Sequence, residues 1–189
     1  MTRAAAICSS TIPPGPCCAI RTNGRNPRSA ATIPTACRRA ARLTNAALQG
    51  KPADMAITMH SCRGNFRSTF IASGGYDFVA EQLLGNTNFD GYFLEYDSDR
   101  AGGFEPLRFF PKGKKQLVLG LVTSKSGTLE SKDEIKRRID SATKYIALDQ
   151  LCLSPQCGFA STEEGNILAE DEQWAKLRMI VEIAEEVWQ

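Results

Sequence analysis

The stretch Gln116-Leu-Val-Leu-Gly-Leu-Val-Thr123 leaves few folds open. A strand turns alternate side chains to opposite faces. An unbroken apolar run therefore needs cover on both sides, as in a parallel sheet flanked by helices. The surrounding segments alternate to match. Met55–His60, Phe89–Tyr96 and Leu151–Ser154 read as further strands. Ser131–Ala147 reads as a helix, with Ser131 as cap, Glu134 three residues on, and Ile135, Ile139 and Ile146 on its inner face. Tyr76–Leu84 has helical spacing, and Gly50 and Pro52 stop a helix that ends at Arg42–Gln49. Thr162–Gln189 holds a long final helix, with Trp174, Leu177, Ile180, Val181, Ala184 and Val187 expected on one apolar stripe. This alternation predicts the α/β class with parallel strands. About four βα units amount to half of a (β/α)8 barrel.

The chemistry-bearing residues gather where the strands end. Met55-Ala-Ile-Thr-Met-His-Ser-Cys62 puts His60 and Cys62 on one face, because residues two apart in a strand point the same way. Phe93-Leu-Glu-Tyr-Asp97 places Glu95 among apolar neighbours, where an unpartnered carboxylate is costly. Cys157 and Gly158 follow the Leu151–Ser154 strand. Barrels of βα units carry their chemistry at the C-terminal ends of the strands. His60, Cys62, Glu95 and Cys157 form a nitrogen, sulfur and oxygen ligand set suited to zinc. The competing reading is an ordinary α/β core with incidental thiols, and Cys152 is read as a packed core thiol. Arg63, Arg67 and Arg100 flank the set, either as surface charge or as partners for a substrate carboxylate. Phe66, Tyr76 and Tyr96 line a pocket or, more simply, pack in the core. The loop Thr123-Ser-Lys-Ser-Gly-Thr128 is assigned no chemistry.

The seven cysteines and the charge distribution separate two segments. Residues 1–43 carry seven Arg, no Lys, Asp or Glu, four of the seven Cys, five of the nine Pro and no aromatic residue. Thr11-Ile-Pro-Pro-Gly-Pro-Cys-Cys18 suits neither a helix interior nor a central strand. Residues 1–40 are therefore expected to be an unstructured segment, and 41–189 a partial barrel domain. An acid-free, Arg-rich stretch also suits nucleic acid or a transit segment, but the reading taken is no nucleic-acid partner. No run of about eighteen apolar residues and no apolar leader core is present. A cytoplasmic, membrane-free protein is expected, with its cysteines free or metal-bound.

Three segments resemble a known family: His60-Ser-Cys-Arg-Gly-Asn-Phe-Arg-Ser-Thr-Phe70, Gly91-Tyr-Phe-Leu-Glu-Tyr-Asp97 and Leu151-Cys-Leu-Ser-Pro-Gln-Cys-Gly-Phe-Ala160. They are similar to the catalytic domain of cobalamin-independent methionine synthase, and in particular to its short, single-domain bacterial branch. The resemblance covers about residues 40–189 and implies the C-terminal half of that barrel, a truncated copy. It implies zinc held by His60, Cys62, Glu95 and Cys157. It also implies an S-methyltransferase of methionine biosynthesis, acting on homocysteine with 5-methyltetrahydropteroyltriglutamate as methyl donor. Arg63-Gly-Asn-Phe-Arg67 departs from the best-known members and leaves the donor open.

The resemblance stops at the N-terminal segment. A family strand similar to Gly-Cys-Arg-Tyr-Leu-Gln-Leu-Asp-Asp-Thr is expected there, and the chain has Ala4-Ala-Ala-Ile-Cys-Ser-Ser-Thr-Ile-Pro13. A one-base shift of reading frame converts codons for the first into codons for the second, so residues 1 to about 38 are read as out of frame. Two alternatives stand beside the methionine synthase reading. One is a non-catalytic remnant that at most binds zinc; the other is a zinc methyltransferase with a different thiol acceptor. A partial barrel is also expected to self-associate or to pair with a missing N-terminal half.

Overall fold

A computed structural model describes residues 32–189, with side chains from Thr35 onward. Helix α1 (Thr32–Ala47) leads into strand β1 (Thr58–Ser61). A π-helical turn at Glu81–Gly85 precedes β2 (Gly91–Glu95), and two 3-10 turns, Asp99–Ala101 and Glu105–Phe109, precede β3 (Gln116–Val122). Helix α2 (Lys132–Thr143) crosses to β4 (Leu151–Pro155), and α3 (Glu170–Val187) follows. All three strand pairings are parallel, in the order β1-β2-β3-β4. Sequential parallel order without reversal is the winding of a (β/α)8 barrel, and it differs from the switch-point order of a doubly wound sheet. The α/β class and the parallel sheet agree with the expectation from sequence.

The register separates two faces. Met59, Tyr92, Leu94, Leu117, Leu119, Leu121 and Leu151 turn toward the helices and are nearly inaccessible. They pack with Ile135, Ile139 and Ala142 of α2 and Met179, Ile180 and Ile183 of α3. Each such side chain contributes roughly 1.5–3 kcal/mol by leaving water. The opposite face carries the row His60, Phe93, Val118 and Cys152, then the row Glu95, Gly120 and Ser154. This is the face a barrel turns inward. Three members of its first row, His60, Phe93 and Cys152, are only half-buried among the described residues.

Several boundaries differ from expectation. Helix α1 begins at Thr32, so residues 32–40 are helical rather than unstructured; the rest of that segment lies outside the described residues. The first strand loses its opening residues, because the Ile57 N–H turns to the Asp90 side chain (2.7 Å) before the β1 ladder starts. Cys152 sits half-buried on the inner face opposite Val118, not in the packed core. The stripe on α3 is also corrected. Trp174 and Val181 are more than half exposed, and the inward positions are Lys176, Met179, Ile180 and Ile183. The apolar pattern hid this because a lysine fills one of them. Lys176 is fully buried, and its Nζ donates to Glu130 Oε2 (2.9 Å) and to the Thr128 carbonyl (2.7 Å).

Candidate metal centre

Parallel strands deliver their C-terminal ends to one side of the sheet, and three of the four expected ligands meet there. His60 is the third residue of β1, Cys62 follows that strand, and Cys157 follows β4. Their ligand atoms all lie within 4.8 Å of one another. His60 Nε2 stands 3.3 Å from Cys157 Sγ. Zinc bonds of about 2.0–2.3 Å place tetrahedral ligand atoms roughly 3.3–3.8 Å apart, so a small adjustment would seat the ion. The donor set, one imidazole and two sulfurs, fits zinc.

The two sulfurs share a proton unequally. A hydrogen bond from Cys157 lowers the Cys62 thiol to about 4; burial opposes this, and His60 and the Gly64 N–H assist. The Cys157 thiol is pushed up, first by that same hydrogen bond and then by burial. The pair thus holds one thiolate at neutral pH, which is the ligand form.

Glu95 lies apart from the three. It is fully buried, its Oε2 accepts the Arg63 N–H (2.6 Å), and its Oε1 accepts from an Arg100 Nη (3.2 Å). Burial raises its pKa, and the nearby Lys125 ammonium pulls the other way. Arg63 is no surface charge. Its guanidinium is buried and donates to the Gly74 carbonyl, the Tyr76 hydroxyl and the Glu95 carbonyl. Arg100 binds Asp97 as well as Glu95, whereas Arg67 is exposed. Tyr76 and Tyr96 are core residues, and Phe66 is half exposed.

Two groups escaped the sequence reading. Asn65 donates to the Gly158 carbonyl (2.9 Å) and Ser161 (2.7 Å), and Asn166 donates to the Ser124 carbonyl (2.6 Å) and to Asn65 (3.1 Å). This network ties together the loops after β1, β3 and β4, and so fixes the spacing of Cys62 and Cys157. The second is Lys125, in the Thr123–Thr128 loop. Its position at the C-terminal end of a strand was the available signal.

A family model described as "Cobalamin-independent synthase, Catalytic domain" matches residues 26–186. The chain belongs to this family. The matched span opens inside the segment read as out of frame, so that reading is withdrawn for residues 26–38. The uncharacterized proteins YxjH and YxjG of Bacillus subtilis (strain 168) are 61% and 62% identical to it over 148 residues. Each alignment takes in 78% of this chain and 39% of the relative, so the chain spans about two-fifths of their length. The crystal structure of a putative vitamin-B12 independent methionine synthase from Listeria monocytogenes superposes with a TM-score of 0.64 at 40% identity, over 89% of this chain and 44% of that one. A B12-independent methionine synthase from Shewanella sp. W3-18-1, in complex with selenomethionine, shares the fold, with a TM-score of 0.59 at 21% identity over 75% of this chain and 40% of that one.

Proposed function

We propose that this chain supplies the metal-binding part of a zinc-dependent S-methyltransferase, of the 5-methyltetrahydropteroyltriglutamate–homocysteine type. The observation that supports this most is the convergence of His60, Cys62 and Cys157 at the C-terminal end of a barrel-type sheet in a member of this family. Those three residues would hold zinc, and Glu95 is the candidate fourth ligand. Bound zinc lowers the pKa of a coordinated thiol, so that a substrate sulfur is a thiolate at neutral pH.

The chain's own residues do the rest. Cys62 brings its sulfur already ionised, so the centre assembles without displacing that proton. The Asn65 network holds the three loops at the spacing the centre needs. The Arg63 N–H and Arg100 hold the Glu95 carboxylate in place at the end of β2. In the overall transfer the sulfur forms a bond to the methyl carbon, and the donor's nitrogen–methyl bond breaks with its electron pair left on nitrogen. The proton lost by the thiol ends on that nitrogen.

Zinc content per purified chain tests the centre. Near-stoichiometric zinc in the wild type, lost in Cys157→Ala, is the expected result. A zinc-free wild type, or a variant that keeps its zinc, would sink the ligand assignment. The chain's share of its relatives' length favours a second reading, a zinc-binding piece without catalysis of its own. Zinc without thiol binding would favour that reading.

A further inference from the structure

The segment that follows Cys62 does not turn straight back to the helical layer. It crosses the C-terminal end of the sheet and returns. The Arg63 N–H reaches Glu95 at the end of β2, and Asn65 reaches Ser124 after β3 and the Gly158 carbonyl after β4. On the way back the Phe70 ring stacks on the Arg100 guanidinium (4.2 Å). The Ile71 and Ala72 N–H groups then donate to the Arg63 carbonyl, and the Gly74 N–H donates to the Arg100 carbonyl. The Glu95 and Asp97 carboxylates, at the end of the strand it crosses, are shut off from water.

Hydrogen bonds, not packing, hold this strap. Phe66 and Phe70 are half exposed and Ile71 is 73% exposed, so lifting the segment gives up little apolar burial. Segments of that kind have low local stability. The tip is also strained. Phe66 to Thr69 form a tight turn closed by the Thr69 N–H on the Phe66 carbonyl (2.9 Å), and both central residues are left-handed, Arg67 at φ 43° and Ser68 at φ 61°. Such turns favour Asn and Gly. Arginine and serine keep that conformation only where their surroundings impose it. The imposing contacts come from one loop: the Ser68 hydroxyl accepts the Ile167 N–H (3.0 Å), and the Ser68 N–H donates to Asn166 (3.4 Å). A glycine stands at each foot of the strap, Gly64 at φ 98° and Gly74 at φ 131°, where the chain turns as other residues rarely do.

We propose that residues 65–73 form a lid, hinged at Gly64 and Gly74 and latched by Ser68 on Asn166 and Ile167, that opens to let metal into and out of the His60, Cys62 and Cys157 cluster. Closing seats Asn65 on Gly158 and Ser161, and so sets the spacing of Cys62 and Cys157; opening releases that clamp. Opening also relieves the strain at Arg67 and Ser68, which brings the two states close in free energy. The gate rests on the zinc reading, and the hinged motion does not.

Amide hydrogen exchange of the full chain in high salt, followed by NMR, reads the motion. Zinc transfer to a chelating dye reads the gate. In the wild type the N–H groups of Thr69, Ile71, Ala72 and Gly74 are expected to share one degree of protection, well below that of β3. Ser68→Ala removes the acceptor for the Ile167 N–H. It should speed exchange at all four by about three- to tenfold, the worth of one hydrogen bond, leave β3 unchanged, and speed zinc transfer by the same factor. Arg67→Asn should slow both by about threefold, because asparagine tolerates the left-handed region. High salt screens the attraction between Arg67 and Glu164 that this change also removes. Four amides that exchange together with β3, or each at its own rate, overturn the lid. Zinc transfer that ignores both substitutions while exchange responds overturns the gate. If Ser68→Ala does not fold, the wild-type pattern and Arg67→Asn decide in the same sense. A chain that holds no zinc removes the zinc reading and the gate with it, and exchange alone then decides the hinged motion.

Discussion

Cys62 and Cys157 behave as one unit, and their shared proton has a chemical signature. Hydrogen bonding from Cys157 holds Cys62 at about 4, against an ordinary thiol value of 9.0. Since the thiolate is the nucleophile, Cys62 in metal-stripped protein should react with iodoacetamide at pH 6, where an ordinary thiol is nearly inert. That reactivity should fall only as pH drops toward 4, and zinc should abolish it. Peptide mapping of the alkylated chain reads out both effects; alkylation that rises only above pH 8 would contradict the pairing. At this scale the sequence was informative where periodicity does the work. His60 and Cys62 are legible because residues two apart share a strand face. Glu95 was legible only as an acid in need of a partner, and the partners it finds are the Arg63 N–H and Arg100 rather than the thiol cluster. Lys125 was not, because a loop has no period and its burial depends on how Asp97 and Glu95 meet it.

At the scale of elements, two contacts hold the ends of β3 and β4 in place. Lys176 reaches from α3 to Glu130 Oε2, and Glu130 Oε1 in turn accepts the Thr123 N–H at the end of β3. Lys176→Ala removes one partner of a buried pair and leaves the Thr128 carbonyl unmet. It should cost about 3 kcal/mol, measurable by urea unfolding; a loss below 1 kcal/mol would show that water replaces the contact. This bridge explains why the apolar stripe was misread on α3, since a buried lysine breaks the pattern that sequence periodicity relies on. Gly120 is the second contact. A Cβ there would lie 2.8 Å from Gln156 Cα and 2.9 Å from the Leu94 carbonyl. Gly120→Ala should therefore push β4 outward, at a cost of about 1–3 kcal/mol. Zinc affinity should fall with it, because Cys157 lies just beyond Gln156. Competition with a chelating dye measures the affinity, and unchanged zinc binding would show that the Asn65 network alone sets the spacing.

The whole molecule is governed by what its sheet leaves open. Among the described residues nothing pairs with the outer edge of β1 or of β4, and His60, Phe93 and Cys152 on the inner face are only partly buried. Four parallel strands in sequential order are the winding of part of a barrel, and unpaired edges of that kind seek a partner. The sequence already implied this, since four βα units cannot close on themselves, but it could not identify the partner. The relatives suggest one. This chain matches about two-fifths of YxjH and YxjG, and their unmatched part is the candidate source of the strands that would complete the barrel. Mixing this chain with the separately expressed unmatched part of YxjH should give a one-to-one complex by sedimentation, at the expense of self-association of the chain alone. Methionine formation from homocysteine and methyl-folate should appear only in the mixture. If the purified chain sediments as a monomer and forms methionine unaided, the open edges are not seeking strands.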